Sequence, residues 1–224
     1  YSEQGLWTKH LHEFVNTRIV NLAVSSATLK DNFSYIEAPY TSRPDKSDNR
    51  GNNNTLACQV EKLIRLMHGN GTAVIPASYS PDYIILQGGI NDNPDPTASS
   101  QAYSFAVKND TRTNFAGAIA YLTKRLHSMF PHAQIMVTTP SGLYYGHTSR
   151  PFDFILKAEQ IRKASSLSNV KTINWDKEGS LTYIFNNPAH TGKGTKASPI
   201  IYNKPTAETI DMLHPNESGS KWLA

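Results

Sequence analysis

The stretch Tyr83 to Asp92 reads YIILQGGIND and changes character halfway along. It begins with four apolar residues and continues into the pair Gly88-Gly89 and then Asn91 and Asp92. A short apolar run bounded by turn residues predicts a strand buried on both faces, as in the middle of a parallel sheet. Ligands of such sheets bind just past the carboxyl ends of the strands, where the amide of Asn91 would be available as a donor. Considered alone, however, the stretch is better explained as an ordinary strand followed by a turn.

Composition restricts the class of protein. The 224 residues fit one large α/β domain over residues 1–224, long enough to bury a core without disulfides or metals. The single cysteine, Cys58, excludes an intrachain disulfide, and its place in an apolar-periodic helix predicts a buried structural thiol. The net charge of +4 is scattered rather than clustered, which argues against a nucleic-acid partner. The sequence contains no run of 18 apolar residues, and we therefore expect no membrane partner.

Helical and strand patterns alternate along most of the chain. This alternation predicts an α/β fold in which helices cover both faces of a parallel sheet. Two segments without periodicity, 38–54 and 176–205, are predicted to be loop insertions. Asn54 or Thr55 is expected to cap the second helix. The predicted helices are 6–14, 55–68, 113–129 and 152–165, with a last one from residue 216, and the predicted strands are 18–24, 83–86, 134–139 and 170–175.

A second informative stretch, Asp211-Met212-Leu213-His214-Pro215, lies near the carboxyl end. In a turn that enters a helix, the Asp211 carboxylate can accept a hydrogen bond from the His214 imidazole. A carboxylate in this role selects the tautomer of the histidine and stabilises the imidazolium. When the motif is considered alone, an ordinary helix cap beside a surface histidine is the better explanation.

Taken together, the two stretches resemble the SGNH hydrolase superfamily, the GDSL esterases and lipases. Gly89-Ile90-Asn91-Asp92 matches the family's third block, and Asp211 to Pro215 matches its fifth block. The segment Asn21 to Thr28 corresponds to the second block. The order and spacing agree over nearly the whole chain. The resemblance implies a flavodoxin-like three-layer sandwich with a parallel central sheet, here lacking its first strand.

The resemblance also implies a role for each matching residue. His214 would be the general base and acid, and Asp211 would orient it. The oxyanion donors would be the side-chain amide of Asn91 and the backbone amide of Ser26, with Gly89 in the same turn. No cofactor and no metal is implied. His10 and His12 are the only closely spaced histidines, and two residues apart on a helix they face different directions, which does not suit a zinc site.

Two features depart from the family pattern. Ser26 stands where the family has glycine, although any residue other than proline can still donate its backbone N–H. The first block, Gly-Asp-Ser with the nucleophile, is absent. None of the possible replacements, which are Ser2, Ser180 and Ser25 or Ser26, is convincing. Two explanations remain open: the nucleophile lies upstream of Tyr1 in a longer polypeptide, which we favour, or catalysis has been lost.

The sequence thus predicts a serine esterase that acts on a small ester. The polar loops favour O-acetyl groups on a carbohydrate over long acyl chains. The alternative is an inactive glycan-binding or structural module of a larger extracellular or virion assembly. Low charge and many small polar residues suit an extracellular or virion-associated protein, and the start at Tyr1 suggests that the chain is part of a larger polypeptide.

Overall fold

The computed structural model describes residues 7–16, 18–23, 27–31, 55–68, 75–76, 78–140 and 151–176. Within these ranges the chain forms five helices and three strands. In chain order they are α1 Trp7–Val15, α2 Leu56–His68, β1 Tyr83–Gln87, α3 Ser100–Lys108, α4 Phe115–Met129, β2 Gln134–Thr138, α5 Pro151–Leu167 and β3 Lys171–Ile173.

The three strands form a parallel sheet in the order β1-β2-β3. Parallel neighbours require a crossover, and helices supply it here: α3 and α4 connect β1 to β2, and α5 connects β2 to β3. The register pairs Tyr83 with Gln134 and Gln87 with Thr138, so the carboxyl ends of β1 and β2 lie side by side. The predicted α/β fold with a parallel sheet is confirmed, and it is consistent with a flavodoxin-like arrangement.

The predicted burial of β1 on both faces is wrong for part of the strand. Tyr83 is 64% exposed, whereas Leu86 is 6% exposed. Within the part of the chain that the structure describes, β1 pairs with β2 alone, so its other edge has no strand to cover it. Burial increases from Tyr83 to Leu86, Gln87 is exposed, and Gly88 and Gly89 are both buried. The turn after β1 therefore begins at two buried residues.

Two other sequence predictions need correction. Residues 18–23 form no strand, because apolar composition alone does not provide a hydrogen-bonded partner. Helix α3 was not predicted, although Ser99 is a good N-cap and accepts a hydrogen bond from the Ala102 N–H at 3.1 Å. The insertions predicted at 38–54 and 176–205 lie outside the described residues, apart from Asp176, as does the last helix.

Polar caps define where the central helices begin. The predicted cap at Thr55 is confirmed, because its hydroxyl accepts the Cys58 N–H at 3.3 Å at the start of α2. Asn114 caps α4 by accepting the Gly117 N–H at 2.9 Å. Capping satisfies donors that the first turn of a helix otherwise leaves unpaired.

The core of the described region is built around α4, which packs against α2 and α3. The buried side chains repeat at helical spacing on these helices, and the sheet and α5 contribute further apolar residues. The largest fully buried side chains include Leu29, Tyr103, Phe115, Ile119, Leu122, Leu126, Val137 and Ile161.

The chain divides into two compact units. One comprises Leu22–Thr139 and Leu156–Ile173, and it holds the three strands. The other comprises Tyr1–Asn21, Pro140–Ile155 and Asn174–Ala224. The single domain over residues 1–224 stays a prediction, and the site described below lies within the first unit. None of the described helices has the length and apolar character needed to cross a membrane.

Gly117 offers a test of close packing in the first turn of α4. A Cβ at this position would overlap the carbonyl oxygen of Thr111 and lie 3.2 Å from that of Ala106. We expect Gly117→Ala to lower the free energy of unfolding by about 1–3 kcal/mol, because overpacking outweighs the helix-propensity gain of up to about 1 kcal/mol. Urea unfolding measures the change. Ser104→Ala on the exposed face of α3 is the control, and a Gly117→Ala protein as stable as the parent would contradict the packing argument.

Candidate functional site

The turn that follows β1 lies against the segment 27–31. A Cβ on Gly88 would lie 3.0 Å from the Leu29 Cβ, which is tighter than an ordinary contact, so a larger residue would push the two segments apart by a few tenths of an ångström. Gly89 has φ 93°, in the region that L side chains rarely adopt. The glycine pair thus permits both the close approach and the change of direction that carries the chain to Asn91.

Asn91 contacts the segment that the sequence assigns to the second block. Its Nδ2 donates to the carbonyl oxygen of Ala27 at 3.0 Å, and Ala27 directly follows Ser26. A carbonyl oxygen only accepts, so the nitrogen of the amide must face it. The amide nitrogen carries two N–H groups, and one of them binds the Ala27 carbonyl. Because Asn91 is exposed, the second N–H can donate to a ligand.

Asp92 anchors the same turn from the buried side. The carboxylate accepts the backbone N–H of Leu29 at 2.8 Å and that of Lys30 at 2.9 Å. Only 3% of Asp92 is exposed. Burial raises the pKa of the Asp92 carboxyl, while these two N–H groups and the charges of Lys30 and Lys157 act in the opposite direction. The two N–H bonds connect the third block to residues directly after the second block.

A buried ion pair lies beside this connection. Lys30 Nζ donates to Asp95 Oδ1 at 2.8 Å and to the Asn93 carbonyl at 2.7 Å. The other oxygen of Asp95 accepts the Tyr103 hydroxyl at 2.7 Å and the Phe115 N–H at 3.0 Å. Burial, together with the hydrogen bond to Asp95 and its charge, raises the pKa of Tyr103 far above its ordinary value. Asp95 thus satisfies donors from the segment 27–31, from α3 and from the start of α4.

Helix α5 holds the turn from a further direction. Lys157 Nζ donates to the carbonyl oxygens of Ile90 at 2.8 Å and Asp92 at 3.0 Å. Gln160 pairs with the backbone of Asp95, accepting its N–H at 2.8 Å and donating to its carbonyl at 3.0 Å. Both α5 side chains are 4% exposed. Buried polar groups of this kind are stable only when their partners are supplied, and here the turn supplies them.

The predicted site residues fall into two groups. Gly89 and Asn91 lie together in the turn after β1, beside Ala27. Ser26, Asp211 and His214 lie outside the described residues. The sequence reasoning missed Asp95, Lys30 and Lys157, which contact one another or the turn across 65 to 67 positions of sequence. The one available signal was the pair of acidic residues, Asp92 and Asp95, in the polar loop.

Other features of the described ranges do not form a comparable site. No group of three or more His, Cys, Asp or Glu side chains there could hold a metal ion. A shallow, open depression of about 420 Å³ lies at the amino end of β3, at the opposite edge of the sheet from the turn. Its lining residues are Arg162, Ser166, Asn169, Val170, Lys171 and Thr172.

The buried ion pair predicts a large stability effect. Asp95→Ala removes the acceptor of Lys30, Tyr103 and the Phe115 N–H, and we expect it to lower the free energy of unfolding by about 3–5 kcal/mol. Lys124→Gln is the matched control, because its 3.4 Å pair with Asp110 is exposed and contributes less than about 1 kcal/mol. Urea unfolding of both variants checks this, and losses of equal size would show that burial of the pair is not decisive.

Comparisons with known proteins bear on the family and the fold of the chain. The sequence profile of the GDSL-like Lipase/Acylhydrolase family matches residues 2–224. One crystal structure is similar at a TM-score of 0.57 and 17% identity, covering 97% of this chain and 81% of the other. A crystal structure of a Lactobacillus plantarum protein is similar at a TM-score of 0.50 and 17% identity, covering 97% and 83%. These structural likenesses support the fold. No curated protein matches the chain. Because the profile spans residues 2–224, the chain belongs to the GDSL-like lipase/acylhydrolase family.

Proposed function

We propose that this chain carries the oxyanion site, the base and the orienting acid of a serine esterase that removes small acyl groups, with O-acetyl groups on carbohydrate as the substrate class. Membership of the family supports hydrolysis of ester bonds. The observation that carries the proposal is the 3.0 Å contact of Asn91 Nδ2 with the Ala27 carbonyl. It brings a side-chain donor to the residue after Ser26, the other proposed donor.

The reaction proceeds in two halves. A serine hydroxyl attacks the ester carbonyl and transfers its proton to His214, while Asp211 stabilises the imidazolium. The carbonyl oxygen becomes an oxyanion, which accepts the second N–H of Asn91 and the Ser26 N–H, with Gly89 shaping the turn. The intermediate collapses as the alcohol leaves with the proton from His214. Water then hydrolyses the acyl-serine by the same route. We assign the serine to a Gly-Asp-Ser block of the intact polypeptide.

The substrate class rests on composition and on the predicted loops. Charged residues make up 18% of the chain, and the segments 38–54 and 176–205 are rich in Asn, Ser, Thr and Gly. Such loops suit hydroxyl-rich ligands better than long acyl chains. For the same reasons we propose an extracellular or virion-borne setting, with no nucleic-acid or membrane partner. An inactive glycan-binding module remains the competing function, because Ser26 departs from the family's glycine.

Asn91 and His214 give the kinetic test. With p-nitrophenyl acetate and the intact polypeptide, we expect Asn91→Ala to lower kcat roughly 10²–10³-fold with little change in KM, because the lost donor acts mainly on the transition state. We expect His214→Ala to lower kcat by at least about 10⁴-fold. Asn93→Ala, an exposed amide two residues away, is the control.

The same assay separates the competing functions. Release of acetate from acetylated oligosaccharides, without turnover of p-nitrophenyl palmitate, would support the proposed substrate class. Glycan binding by the intact polypeptide without turnover of any ester would instead favour the binding module. An unchanged rate in both Asn91→Ala and His214→Ala would exclude the proposed mechanism.

A further inference from the structure

Lys157 is a buried lysine whose ammonium group binds the turn after β1. It lies on α5 and is 4% exposed. Its Nζ donates to the carbonyl oxygens of Ile90, at 2.8 Å, and Asp92, at 3.0 Å. These two carbonyls belong to the residues immediately before and after Asn91. The ammonium therefore brackets the backbone from which the Asn91 side chain projects.

The bracketed turn has little other freedom. The Asp92 carboxylate is bound to the backbone N–H groups of Leu29 and Lys30 on the side of the segment 27–31. Asn91 Nδ2 reaches the Ala27 carbonyl in the same segment. Without the Lys157 ammonium, the Ile90 and Asp92 carbonyl oxygens would lose a hydrogen-bond donor inside the protein and would reorient toward other donors. Such a reorientation rotates the peptide planes on both sides of Asn91.

A buried ammonium is costly to keep, because charge is poorly solvated in the interior. It persists where carbonyls and a nearby carboxylate replace water, and Lys157 finds two carbonyls and the charge of Asp92 at this turn. Lys163 lies on the same helix and also donates to a loop carbonyl, that of Ala98 at 2.7 Å, but it is exposed. An exposed lysine on α5 is therefore sufficient to hold the helix against the loop, and a buried lysine is not needed for that purpose.

We propose that Lys157 is a positioning residue for Asn91, one that orients the amide donor by binding the carbonyls on both sides of it. The consequence for rate rests on the proposed esterase function. The consequence for the geometry of Asn91 is independent of the esterase function. The experiment therefore measures the geometry and the rate separately.

The structural arm follows the side-chain amide of Asn91 by ¹H–¹⁵N NMR of the full chain. In the parent protein, one amide proton should show the shift and slowed exchange of a hydrogen bond to the Ala27 carbonyl. In Lys157→Met we expect this signal to move toward solvent-exposed values, and in Lys163→Met to stay unchanged. An Asn91 signal unaltered in a folded Lys157→Met protein would overturn the proposal.

If Lys157→Met does not fold, the NMR signal of the Asn91 side-chain amide is measured in Lys157→Gln instead. Its shorter side chain keeps N–H donors but reaches the two carbonyls less well, so we expect a smaller displacement of the Asn91 signal in the same direction. Unchanged Asn91 signals in a folded Lys157→Gln protein would likewise count against positioning.

The kinetic arm is a double-mutant cycle in the intact polypeptide with p-nitrophenyl acetate. We expect Lys157→Met to lower kcat on the order of 10–100-fold at nearly constant KM, since a displaced donor acts mainly on the transition state. Combined with Asn91→Ala, it should add little, because it acts through the group that is already removed. A merely structural role would instead make the two losses multiply.

The two hypotheses fail in different ways. If Asn91→Ala slows turnover while Lys157→Met does not, the positioning role is wrong and the esterase function stands. If the Asn91 signal moves in Lys157→Met while neither substitution affects kcat, the positioning role stands and the oxyanion role of Asn91 is wrong.

Discussion

The carboxylate of Asp92 connects two distant parts of the chain, and the turn after β1 depends on that connection. Its two oxygens accept N–H groups from Leu29 and Lys30, which lie 63 and 62 positions earlier in sequence. Asp92 is only 3% exposed, so breaking either bond would leave a buried donor and acceptor unpaired. This cost keeps the turn against the segment 27–31 and keeps Asn91 within reach of Ala27.

The charges around this turn compensate one another in pairs. Lys30 is bound to Asp95, and Lys157 lies near Asp92 while it binds two carbonyls of the turn. The Lys30 ammonium also lies 4.6 Å from the centre of the Phe115 ring. Buried ion pairs contribute little net stability relative to apolar packing, but each is expensive to break once it has formed. The network therefore defines a geometry rather than simply adding stability, which suits a loop that presents a hydrogen-bond donor.

Several parts of the fold followed from local pattern. Apolar spacing predicted α2 and α4, and a helix was also predicted at α5. Short apolar runs predicted the three strands, with the carboxyl end of β1 as the edge where a site would lie. The pattern failed where local signals were weak. Helix α3 exposes the aromatic side chain of Phe105 and buries that of Tyr103, which is bonded to Asp95, so its apolar residues alone do not indicate the buried face. Residues 18–23 had the composition of a strand but form none, because pairing depends on a neighbour.

By itself, the sequence determined the helical and strand periods, the glycine pair that allows the turn, and the motif residues that indicate the family. These features depend on residues that are close in sequence, so they follow from local steric and hydrogen-bonding preferences. Only the tertiary structure decided that Asp92 binds Leu29 and Lys30, that Asp95 gathers donors from three segments, and that Lys157 brackets Asn91. These contacts join residues 62 to 67 positions apart, or 8 and 20 within the α3–α4 region, across folded backbone. The periodicity of a sequence does not identify which residue a charged side chain will pair with. Its burial and its partner are therefore known only from the folded structure.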